Sequence, residues 1–180
     1  MLAVEDFPAG WTAADDSDAL DNSKAPCDAV NDAKRSVTAR ANSPDFSNGE
    51  TSQVANSVWM FADEAGAERA FAALAAEKTR RCFGKSLAHG VDDPKGLAVG
   101  DVHAARLSVD PVGDDLAASR LTIAATRKGV DFDLVVDLVF VRSGRAISLS
   151  MFLRALEPFD DKLRAGLTNT SAQRLANRLQ

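Results

Sequence analysis

The sequence lacks any run of basic residues longer than the Arg80-Arg81 pair. Its formal net charge is −5, from 26 acidic against 21 basic residues. That balance argues against nucleic acid or any other bulk anionic partner. It also lacks a long apolar run: the longest, Leu134 to Val141, is broken by Asp137 and falls far short of the roughly 20 residues of a membrane helix. Residues 1 to 25 are acidic and show no basic start followed by an apolar stretch, so they do not read as a signal peptide. Any membrane attachment is therefore expected through a tether outside this sequence.

Motifs that carry chemistry are equally scarce. There are two histidines, His89 and His103, without H-x-H or H-E-x-x-H spacing, so a metal site would need further ligands from elsewhere. The acidic run from Asp15 through Asp21 lacks the central glycine and closing glutamate of an EF-hand loop and reads as a solvated loop. No Walker-type, G-x-G-x-x-G or G-x-S-x-G segment occurs. The expectation is a chain with no metal, no cofactor and no catalytic activity. Two cysteines, Cys27 and Cys82, stand 55 positions apart and fit no C-x-x-C motif. They are either two buried free thiols or a bridge closing a long loop, which would stabilise the fold by about 4 kcal/mol in the chain-entropy picture.

What is present is enough to fold. With 180 residues, 46% of them hydrophobic, one domain spanning 1–180 can bury about two thirds of its unfolded surface in a single core. Residues 12 to 26 carry no apolar periodicity and read as loop or short helical turn. Ser36 to Phe46 and Gln53 to Phe61 read as strands of a first hairpin around Asn48-Gly49. Asp63 then stands at a helix N-cap position. Phe71, Leu74, Lys78 and Cys82 recur at helical spacing, predicting a helix over about 64–81 that Gly84 ends. Residues 89 to 100 read as a loop, and Ala104 to Val109 as a short strand.

The stretch 119–154 carries the strongest pattern. Turns at Lys128-Gly129 and Ser143-Gly144 place Leu121, Ile123 and Ala125 opposite Val136, Leu134 and Phe132. They also place Phe140, Leu138, Val136 and Leu134 opposite Ile147, Leu149, Met151 and Leu153. The other face then reads as polar, with Arg120 opposite Asp137, Asp137 opposite Ser150, and Asp133 opposite Arg154. The fold expected is α+β: an antiparallel sheet of about five to six strands, ending in this meander, with helices on one face. A C-terminal helix opened by Pro158 would supply Leu163, Leu167, Leu175 and Leu179, with Gly166 or 168–170 as a break.

Two features invite function. The polar face, with Arg120, Asp133, Asp137, Ser150 and Arg154, is either hydrated surface or one wall of a cleft in which an arginine takes an anionic group of a small ligand. The segment Asp6-Phe7-Pro8-Ala9-Gly10-Trp11 either pins the terminus to the core or docks a partner.

Taken together, "LxxxDFPAGWT" at the start, Cys27, "SVWMFADEAGAERAFAAL" leading to Cys82, and "VVDLVFVRSGRAISLS" before a terminal helix resemble the extracytoplasmic sensor-like domains of actinobacteria. These include the ectodomain type of a mycobacterial serine/threonine kinase and related secreted proteins and lipoproteins. The resemblance implies an antiparallel sheet packed by helices, a Cys27–Cys82 disulfide, and ligand sensing at the cell envelope. The kinase-linked type looks to carry two disulfides, and this chain can form one. The reading is a monomeric, non-enzymatic extracytoplasmic domain that binds a small molecule or envelope component. The alternatives are an interaction module working through a sheet edge or the Phe7 to Trp11 segment, and a hydrolase assembled around His89 or His103.

Overall fold

The computed structural model describes residues 1–14, 27–91 and 97–179, leaving aside the side chains of 88–91 and 179. The acidic run Asp15 to Asp21 and the side chain of His89 lie outside the described residues. An antiparallel sheet organises the chain. Its strands are β1 (Thr12–Ala14), β2 (Val37–Asn42), β3 (Asp45–Asn48), β4 (Ser52–Phe61), β5 (Leu97–Arg106), β6 (Asp115–Arg127), β7 (Val130–Ser143) and β8 (Ala146–Ala155). The order is β1-β3-β4-β8-β7-β6-β5, with β2 also pairing β4. The helices are α1 (Asp28–Arg35), α2 (Glu64–Ala75), α3 (Glu77–Val91) and α4 (Asp161–Leu179).

Among the described residues the sheet thus has eight strands rather than five or six, because β2 and β3 divide the first expected strand at Ser43-Pro44 and β1 adds an edge. The meander is as expected in kind. Its first hairpin has the expected register, with Leu121 opposite Val136 and Arg120 opposite Asp137. The second is displaced by two residues, because Ser143 pairs Ala146 and the turn falls on Gly144-Arg145. Side chains alternate with period two, so this displacement keeps every residue on its expected face. It changes the partners: Phe152, not Ser150, lies opposite Asp137, and Val135, not Asp133, lies opposite Arg154.

Helices on one face is the expectation that the structure corrects. Leu121, Ile123, Leu138, Phe140, Leu149 and Met151 meet α1, α2 and α3 on one side. On the other, Val139, Val141 and Phe152 meet Leu167 and Ala172 of α4, together with Leu2, Phe7, Phe46 and Phe159. The physical reason is in β7: residues 134–143 are buried without interruption, so this strand has no solvent side.

Local chemistry sets the helix ends. Asp63 Oδ1 accepts the Gly66 N–H at 2.7 Å and starts α2. The helix expected over 64–81 breaks at Ala76, whose backbone is extended, and the Thr79 hydroxyl donates to the Ala73 carbonyl freed there, at 2.6 Å. Gly84 does not end α3. A Cβ there would come within 2.8 Å of Val102 Cγ1, so the glycine lets α3 lie close against β5. At the other end of the chain, Asp160 Oδ1 accepts the Leu163 N–H at 2.8 Å and α4 runs unbroken through Gly166.

The two helical glycines should therefore respond oppositely to substitution. Gly84→Val should lower unfolding free energy by about 1–3 kcal/mol through overpacking against Val102. Gly166→Ala, where an added Cβ meets nothing within 4 Å, should raise it by about 1 kcal/mol. Urea denaturation of the two variants checks both signs.

Candidate functional site

The polar residues singled out in the sequence divide into three groups. Arg120 and Asp137 form a two-point pair, Nε to Oδ1 at 2.7 Å and Nη2 to Oδ2 at 2.8 Å. Arg164 of α4 donates to the same Oδ2 at 2.8 Å and reaches Asp161 at 2.7 Å. Asp137 has no solvent contact. The hydrogen bond to Asp137 holds the Arg120 guanidinium above its ordinary pKa, although partial burial acts the other way. Ser150 lies in a second group around Asn56, whose Nδ2 donates to Ser148 Oγ at 3.0 Å and Ser150 Oγ at 3.1 Å. Ser148 shares a 2.9 Å hydrogen bond with Ser171 of α4. Asp133 and Arg154 form the third group, at the open end of the face. Asp133 is exposed, and half-buried Arg154 pairs with Glu157 at 2.5 Å. The sequence leaves this face to solvent or a ligand; in the structure α4 lies across most of it.

The N-terminal aromatic segment is pinned. Phe7 is buried between Trp11 and Phe46, with ring centroids 4.8 and 4.5 Å away, and Trp11 also meets Phe159. Arg174 of α4 grips Asp6 through two contacts of 2.6 and 2.7 Å. His103 is exposed on β5, opposite Thr122.

Concave surface lies on the other side of the sheet. The Cys27 and Cys82 sulfurs are bonded, which ties the start of α1 to α3. The end of α1 leads into Val37, opposite Phe61 just before α2. α1 therefore runs antiparallel to α2, and a groove of about 500 Å³ opens between them. Ala33, Phe61 and Ala70 form its buried floor, while Asp28, Asp32, Asp63, Arg69 and Lys78 rise around it. Beside the disulfide it continues into a hollow of about 180 Å³ lined by Cys27, Asp28, Ala29, Lys78, Thr79 and Cys82. Sequence reading missed this site because α1 was not predicted: in eight residues it buries only Val30 and Ala33. Asp28 and Asp32, one turn apart, were the signal available.

No known protein family and no curated protein matches the chain. Among solved structures it is similar to that of LpqN, involved in cell envelope biogenesis of Mycobacterium tuberculosis. The TM-score is 0.35 and the identity 14%, over 92% of this chain and 75% of that one. It is also similar to PA94, a protein of unknown function from Pseudomonas aeruginosa, with a TM-score of 0.23 and 14% identity over 79% and 80% of the two chains. Scores this low carry neither function nor mechanism across.

The grouping of the charged residues predicts unequal costs. Asp137→Ala leaves two arginines facing each other under α4 and should cost about 3–5 kcal/mol. Arg154→Ala removes a solvent-screened pair and should cost no more than about 1 kcal/mol. Denaturant midpoints of the two variants provide the measurement.

Proposed function

We propose that this chain is an extracytoplasmic binding domain without catalytic activity, and that it holds a small molecule or a component of the cell envelope in the groove between α1 and α2. The observation that carries the reading is the Cys27–Cys82 disulfide, which fastens one end of that groove. Disulfides persist in oxidising compartments. A preformed concavity of about 500 Å³, with an apolar floor and a few charged groups, has the size and lining of a small-molecule site. The reading moves the ligand away from the polar sheet face, where Arg120, Asp137 and Ser150 already have protein partners.

Two measurements test it. Protein made in an oxidising compartment should weigh two hydrogens less than the fully reduced chain. Replacing both cysteines by serine should lower stability by about 4 kcal/mol, the loop-closure value for a bridge spanning this separation. Native mass spectrometry of protein isolated from its own envelope should show an adduct that is lost on denaturation and absent from Ala73→Phe, which fills the groove. Free thiols overturn the location; an adduct that survives Ala73→Phe overturns the site.

A further inference from the structure

Four of the five charges lining the groove are sorted by wall. Asp28 and Asp32 stand on α1, Arg69 and Lys78 on α2 and α3. They face one another without closing into ion pairs. Asp32 is taken by Arg35 on its own helix, and Asp28, Arg69 and Lys78 have no ion-pair partner among the described residues. Asp63, the remaining acid of the lining, is occupied as the N-cap of α2. The antiparallel arrangement brings Asp28 and Lys78 to the disulfide end, where both also line the smaller hollow.

We propose that the groove binds a small zwitterion, a free amino acid or short peptide, with its ammonium group on Asp28 of the α1 wall and its carboxylate on Arg69 and Lys78. The proposal rests on the groove being the binding site. Charge complementarity selects this class. An anion without an ammonium would meet Asp28 and Asp32, and a cation without a carboxylate would meet Arg69 and Lys78; either juxtaposition of like charges is a penalty. A molecule with one charge of each sign satisfies both walls. The arginine fork adds a geometric preference, because a guanidinium takes a carboxylate at two points. The floor of Ala33, Ala70 and Phe61 leaves the ligand's middle to short apolar groups.

The test is titration calorimetry with L-alanyl-L-alanine, its N-acetylated form and its C-terminal amide. The expected result is binding of the free dipeptide, with each blocked form weaker by about tenfold or more, as for loss of a hydrogen bond to a charged group. Arg69→Ala should weaken the free dipeptide and leave the amide unchanged; Asp28→Asn should weaken the free dipeptide and leave the acetylated form unchanged. Both residues are exposed, so the variants should fold, and their thermal transitions verify it. Equal affinity for all three compounds, or no binding of the free dipeptide at millimolar concentration, overturns the proposal. If a purely anionic or neutral molecule binds instead and Ala73→Phe abolishes it, the groove remains the site and only the zwitterion is wrong. If Ala73→Phe has no effect on whatever binds, the site itself falls.

Discussion

A carboxylate with no access to water, Asp137 in the middle of β7, sets conditions that much of the structure meets. An unpaired charge at that depth is prohibitively costly, so partners must come from the neighbouring strand and from the layer that covers this face. Arg120 arrives from β6 through strand register alone. Arg164 arrives only if α4 lies across the sheet, and that requirement fixes where the helix begins. Once α4 is seated there, Ser171 comes to Ser148, and Arg174 comes to Asp6 and the Met1 carbonyl. The N-terminal segment is thereby held against the same helix, and Phe7 and Trp11 close the edge of the second core. One buried acid thus connects strand pairing, helix position and the chain terminus.

The opposite layer is fastened differently. α2 and α3 sit on apolar contacts, with Ala67, Ala70 and Leu74 buried against the sheet and Phe83 half-buried over Phe140. α1 has little of this. Its two buried side chains stabilise it by only a few kcal/mol at the usual coefficient for apolar area. The disulfide and the hydrogen bonds of β2 hold its two ends. A helix held at its ends and lightly packed along its length leaves a gap beside its neighbour, and that gap is the groove.

Legibility in the sequence follows from these differences. The meander was readable because turn chemistry and side-chain alternation are local, and a register error of two residues on β8 cost no face assignment. Helices on both faces were missed, although the signal was present: Val135, Val139, Val141 and Phe152 share the side of Asp137 and Ser150, so that face was never wholly polar. Asp137 and the serines interleaved with them mask that signal in the sequence. Gly84 reads as a stop in the sequence because its close approach to Val102 is a tertiary fact. The candidate groove was illegible for the same reason: Asp28 and Arg69 are 41 positions apart in the chain, and only folding turns them toward one cavity.

The contrast between the two layers also bears on why a binding site sits where it does. Asp137, Asn56, Ser148 and Asp6 in the α4 layer are each committed to a partner, because burial there makes an unmet charge expensive. In the α1 layer the groove charges stay at the surface, where water meets them cheaply and a ligand can replace that water. An isolated helix of eight residues is unstable in water, so the width of the groove is set by what anchors α1 rather than by the helix itself. The disulfide therefore does two things: it constrains the unfolded chain, and it holds Asp28 opposite Lys78. Rigid placement of opposed charges lowers the ordering cost of binding, which is the condition under which a few surface groups can select a small ligand.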